Sequence, residues 1–223
     1  FIMNGRAMYV AVSAISCRSP RRLLALSVVV LLLPFATYQK NYNTRDQSNN
    51  NYFRKYALSI LEPLPSNSLL LINYDQQWTS IRYLQECEGV RTDITSINLS
   101  MMTFGWWQSK HDLYEHVSFP GTHYTRGNTL PWQNGGFTFS ELIDANKEHF
   151  GSDIFIGGRL NFDDPEYHAS YHEIPYGLVR QIRSQEHIDI SVETAESYRT
   201  FSLQPWTTIA NYLSTDLPCE KKY

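Results

Sequence analysis

Apolar positions fall into several distinct patterns along this chain, and each pattern predicts a different element. Leu23 to Tyr38 (LLALSVVVLLLPFATY) is apolar on every side and follows Arg18, Arg21 and Arg22. From Tyr52 to Leu61, by contrast, Phe53, Tyr56, Ala57, Ile60 and Leu61 recur at the interval of a single helix face. Asn50 or Asn51 is placed to cap that helix and Pro63 to end it. After a turn at 65–68, Leu69 to Tyr74 is an unbroken apolar run of strand length, the pattern of a strand covered on both faces. A helix over 79–88 would bury Ile81, Tyr83, Leu84 and Cys87 and stop at Gly89. Ile94 to Leu99 then alternates weakly as a second strand. Strand, helix and strand in that order predict a right-handed crossover between parallel neighbours.

Residues 101–136 are long, aromatic and irregular. Thr138-Phe-Ser-Glu141 has capping-box spacing and opens a helix reaching Phe150. Gly151 ends it, Ile154 to Ile156 forms a third strand, and Ile174 to Ile182 reads as a fourth with Pro175 near its start. A short final helix covers 205–213. The expected class is α/β, a parallel sheet containing a Rossmann-like βαβ unit and preceded by one transmembrane helix. The expected divisions are a cytoplasmic or membrane remnant at 1–22, a transmembrane helix at 23–38, a connector at 39–51 and an α/β domain at 52–223, incomplete at its C-terminus.

The apolar segment leaves three readings open. Sixteen residues of helix span about 24 Å at about 1.5 Å each, against a hydrocarbon core about 30 Å thick. Snorkelling arginines and local thinning close that gap for a spanning helix. A short apolar run behind basic residues also fits a signal sequence starting at Met3 or Met8. A buried soluble helix is the third reading, opposed by the lack of any polar face from Leu23 to Leu33. Both membrane readings leave the arginines cytoplasmic and place residues beyond Gln39 across the bilayer. The chain begins with Phe1, which suggests a missing upstream portion.

Composition narrows the function classes. With 42% hydrophobic residues and a net charge of −3, the chain can bury a core and shows no basic excess for a nucleic-acid backbone. Cys87 and Cys219 would share the oxidising side and can pair, although a plain buried Cys87 fits equally well. Asp75, at the carboxyl end of the first strand, can orient a polar ligand with Arg82 and Arg91, or simply favour a helix start. Arg91 and Asp93 flank a turn and can bridge each other. Trp106 and Trp107 follow the second strand, as a sugar platform or as core and rim residues. Asn98-Leu-Ser100 is a glycosylation sequon, chemically open only if exposed. His168 and His172 within Asp163–Glu173 resemble metal ligands, but Ala169 stands where a zinc-protease pattern needs Glu, and no helix is indicated. No metal site is expected, and no Ser-His-Asp, Walker or dinucleotide pattern appears.

Residues Tyr74-Asp75 through Trp107, above all Cys87-Glu-Gly-Val-Arg-Thr-Asp-Ile94 and Asn98-Leu-Ser-Met-Met102, resemble the soluble region of the transmembrane protein 260 family. Asp46-Gln-Ser-Asn-Asn50, Phe119-Pro-Gly121, Phe137-Thr-Phe139 and Ile174-Pro-Tyr-Gly-Leu178 are similar to further stretches of it. The resemblance covers roughly residues 38–215. It implies a protein O-mannosyltransferase of the endoplasmic reticulum membrane, with a multi-spanning half of the GT-C type upstream and the bulk of this chain lumenal. It further implies dolichyl phosphate mannose as donor, no cofactor, membrane lipid as a partner, and receptor domains of immunoglobulin-like fold as acceptors. The catalytic acid would lie on an upstream loop, so no catalytic residue is carried over, and this segment serves acceptor recognition or support. Two alternatives stand beside it. One is a membrane-anchored lumenal binding module with no activity. The other is a soluble lumenal enzyme whose site is the Asp163–Glu173 cluster.

Overall fold

The computed structural model describes residues 20–46, 51–126, 134–185 and 190–215. The chain divides into two units, 1–50 and 51–223. In the first, helix α1 (Pro20–Arg45) contains the whole apolar run. Val28 to Leu33, Phe35 and Tyr38 are all exposed, with Leu31 at 73%. Among the described residues no helix is long and apolar enough to cross a membrane. The expected crossing at 23–38 is therefore not met: α1 outlasts its apolar run and continues through Gln39, Lys40 and Asn41 to Arg45. The expected connector at 39–51 is thus helical over its first half.

The second unit opens with α2 (Tyr52–Leu61), at the bounds its periodicity predicts. Ala57, Ile60 and Leu61 are buried, while Phe53 is exposed and the Asn51 side chain makes no capping bond. Then come β1 (Leu69–Ile72), α3 (Asp75–Glu88), β2 (Thr95–Asn98) and α4 (Leu99–Met102). A 3-10 helix follows at Gly105–Leu113, with two-residue strands β3 (His123–Tyr124) and β4 (Gly136–Phe137). The capping box at Thr138 and Glu141 forms as expected and starts α5 (Phe139–Phe150). After it lie β5 (Ile154–Gly157), α6 (Pro165–Ser170), β6 (Tyr171–Tyr176) and β7 (Val179–Ser184). The described chain ends with α7 (Ile190–Ser197), a π turn at Tyr198–Ser202 and α8 (Leu203–Thr215).

The main sheet runs β2-β1-β5-β7-β6. β2, β1 and β5 are mutually parallel, pairing Leu69 with both Thr95 and Ile154, whereas β7 and β6 are antiparallel. The fold is therefore mixed α/β with a mostly parallel sheet. The single fourth strand expected over 174–182 is a hairpin instead, because Gly177 takes φ +63° and turns the chain. Alternation along the strands divides the core between two faces. Leu69, Leu71, Ile154 and Ile156 pack with Leu142, Ile143 and Phe150 of α5. Leu70, Ile72 and Phe155 pack with Ala57 and Ile60 of α2 and Ile81 and Leu84 of α3. Covered on both sides, β1 and β5 need the continuous apolar runs that the sequence shows.

α3 starts four residues before its expected beginning and buries a different face. Gln77, Ile81, Leu84 and Gln85 are inside, while Tyr83 and Cys87 are exposed. Gly89 ends the helix in the left-handed region at φ 67°, as its C′ position requires.

Candidate functional site

The strand order sets the location. β1 lies between β2 and β5, so the segments leaving the carboxyl ends of these three strands meet, and a crevice opens between the loop after β5 and the β6–β7 hairpin. The loop after β5 is fixed by side chains from three other parts of the sheet. Asn73, just beyond β1, donates its amide to the Arg159 carbonyl at 2.5 Å. Ser100 of α4 donates to Asn73 Oδ1 at 2.6 Å, and Asn161 Nδ2 donates to the Ser100 hydroxyl at 3.0 Å. Arg180 of β7 donates to the Gly158 carbonyl. Gly158 sits at φ 102°, which the loop's sharp exit from β5 demands.

The anchored loop lines a pocket of about 310 Å3 with Arg159, Leu160, Phe162 and Asp163; α6 and the hairpin add His168, Glu173 and Arg180. Arg180 pairs with Glu173 at 2.6 Å, and His168 lies 3.6 Å from Asp163. Tyr167 donates its hydroxyl to Glu173 at 3.0 Å. Burial, reinforced by the Glu173 charge, pushes that phenol far above its ordinary range, so it stays a donor. Asp164 accepts from the backbone of Ser140 at 2.8 Å and Tyr167 at 3.2 Å, capping α6. That short helix corrects the expectation of none over 166–173. A second pocket of about 290 Å3, lined by Tyr124, Arg126 and Glu166, shares Phe162 and Asp163 with the first.

The residues expected at a binding site do not gather in one place. Asp75 is an exposed first-turn residue of α3. Arg82 pairs with Glu86 at 2.6 Å and lies over the Trp78 ring. Arg91 and Asp93 form a brace: the guanidinium holds both Asp93 oxygens at 2.9 and 3.0 Å and reaches the carbonyls of Leu61 and Leu64 at 2.7 and 2.9 Å. Their task is to end α2. Trp107 is 2% exposed and belongs to the core, while Trp106 is 50% exposed and stacks on Phe104 with centroids 5.8 Å apart. Asn98 is 2% exposed, and its side-chain oxygen accepts from Met101 N at 2.9 Å. An amide so enclosed is closed to a glycosyl acceptor role in the folded chain. Cys87 is exposed on α3 rather than lying on a buried face. Cys219, its expected partner, and Cys17 lie outside the described residues.

Asn73, Ser100, Asn161, Arg159 and Arg180 went unpredicted. A usable signal is present: Gly157-Gly158 closes one apolar strand, and Asn73 directly follows another.

Residues 53–129 match the model of TMEM260-associated domain 2. The chain is 31% identical over 194 residues to a Dictyostelium discoideum protein named protein O-mannosyl-transferase tmem260, covering 86% of this chain and 22% of that protein. It is 26% identical over 213 residues to the Mus musculus protein O-mannosyl-transferase TMEM260, covering 87% of this chain and 29% of the mouse protein. It thus spans roughly a quarter of the length of these curated relatives. No solved structure matches the chain. With β1, α3 and β2 inside the matched region and both relatives aligned over most of its length, the chain belongs to the TMEM260 family.

Proposed function

We propose that this chain is part of a protein O-mannosyltransferase of the endoplasmic reticulum membrane, and that its α/β unit is a lumenal domain for acceptor recognition or support. The observation that carries the reading is the alignment of most of the chain with two proteins named as such transferases. The reaction moves mannose from dolichyl phosphate to a Ser or Thr hydroxyl of a receptor ectodomain, with immunoglobulin-like domains as acceptors. The hydroxyl oxygen bonds to the anomeric carbon, the bond to the phosphate oxygen breaks, and the phosphate leaves with the electron pair. A carboxylate takes the hydroxyl proton. That carboxylate belongs to another part of the protein, and the segment alone is inactive.

Helix α1, though not long and apolar enough to cross a bilayer, supports contact with a membrane surface. Its residues from Val28 to Leu33 expose apolar surface on all sides. At about 25 cal/mol per Å2 such a helix is costly in water and at home in lipid.

The test uses cells lacking the full-length gene, rescued with full-length protein or with this segment. Full-length protein should restore mannose on receptor domains, and the segment alone should not. Transfer restored by the segment would refute its inactivity; no transfer from the full-length protein would refute the reading itself. A binding module without catalysis is the second reading, favoured by the pairing of Glu173 with Arg180 in the pocket. It predicts that deleting residues 51–223 abolishes acceptor capture, while no part of the protein transfers sugar.

A further inference from the structure

We propose that the crevice beyond β5 binds a neutral, polyhydroxylated ligand the size of one sugar ring. The inference goes beyond the transferase reading, because it concerns a ligand of the α/β unit itself and requires no reaction there.

Charge decides the class of ligand. Glu173 is matched by Arg180 at 2.6 Å, and Asp163 has His168 at 3.6 Å. Arg159 is exposed and has no ion-pair partner among the described residues. A phosphate entering this pocket would meet Arg159 but also two carboxylates. A cation would meet the carboxylates but also two guanidinium groups. Either ion would meet a like charge beside each opposite one, a balance that a neutral ligand leaves undisturbed. Hydroxyl groups, each one donor and an acceptor, can satisfy carboxylate oxygens and guanidinium N–H groups together without disturbing their pairing.

Shape and stiffness agree. At about 310 Å3 the pocket stands at the small end of ligand sites, which run from about 300 to 1,000 Å3. Leu160 and Phe162 add an apolar surface for the C–H face of a ring. The loop carrying them is already fixed by Asn73, Ser100 and Arg180, so little ordering entropy is lost on binding.

The experiment is an NMR titration of the full chain in lipid nanodiscs with methyl α-mannopyranoside, methyl α-glucopyranoside and inorganic phosphate. A glycoside should give saturable shifts confined to residues 158–180, and phosphate none. Arg159→Ala and Asp163→Ala, both at exposed positions, should each weaken glycoside binding roughly tenfold without lowering the unfolding midpoint. Three results overturn the proposal: no saturable shift with either glycoside at tens of millimolar, phosphate binding tighter than both, or shifts that survive both substitutions. No glycoside binding by the unsubstituted chain, with mannose transfer by the full-length protein, would sink this inference and leave the transferase reading standing. Glycoside binding by a protein that transfers no mannose would do the reverse.

Discussion

Removing Arg91 tests whether the most polar cluster near β2 is a brace or a binding site. Its guanidinium makes six hydrogen bonds, to Asp93 Oδ1 and Oδ2 and to the carbonyls of Leu61, Glu62, Leu64 and Pro65, at 2.7 to 3.3 Å. Those carbonyls belong to the end of α2 and the turn after it, where helix geometry leaves acceptors without partners. Hydrogen bonds to a charged group contribute about 1.5–3 kcal/mol each when measured singly, but six cannot add. The side chain is 23% exposed, so water replaces some of them. A loss of about 2–4 kcal/mol for Arg91→Ala is the reasonable scale, against a total stability of about 5–15. In a domain this large that lowers the midpoint by roughly 4–16 °C. Arg91→Gly should lose about 1 kcal/mol less, because Arg91 sits at φ +48° and glycine adopts that region freely.

The pH dependence supplies a second readout. Hydrogen bonding and charge from Arg91 hold the Asp93 carboxyl below its usual range. A carboxyl depressed by folding stabilises the native state above its unfolded pKa, and the contribution is lost as pH falls through the folded value. Acid sensitivity below about pH 4 should therefore shrink in Arg91→Ala. Thermal and urea unfolding across pH 2–7 measure both effects. An Arg91→Ala protein with unchanged midpoint and unchanged acid profile would refute the brace and return Arg91 to the list of ligand contacts.

Other consequences are checked more quickly. Asn98→Ala should destabilise by about 1–2 kcal/mol through loss of the α4 cap, and mass spectrometry of protein from a glycosylating host should find Asn98 unmodified. A Cβ at Gly157 would stand 2.9 Å from Gln77 Oε1, the far end of a flexible side chain, and 3.6 Å from Val179 Cγ1, so Gly157→Ala should cost no more than about 1 kcal/mol of unfolding free energy. Cys87 is exposed and should react with a thiol reagent at the rate of a small-molecule thiol before any unfolding; protection would mean that it is paired or covered.

What could be read from the sequence follows from how local its cause is. The bounds of α2, the Gly89 stop and the capping box at Thr138 depend on residues within one turn of each other, and all three were legible. The buried face of α3 was not. Binary patterning assigned Tyr83 and Cys87 to the inside, whereas Gln85 is buried because its amide is fully engaged, with the carbonyls of Arg91 and Ile94 at 3.0 and 2.8 Å and the Ser96 hydroxyl at 2.8 Å. A polar residue whose partners lie in the next loop and strand looks like surface to any periodicity. The crevice is less local still. Asn73, Ser100 and Asn161 meet only because β5, some eighty residues after β1, docks beside it on the edge opposite β2. Had β5 added outside β2, Asn73 and Arg159 would be two strands apart, about 10 Å, and no amide could reach that carbonyl. The strand order therefore creates the site, and long-range pairing is what a reading of neighbouring residues cannot supply.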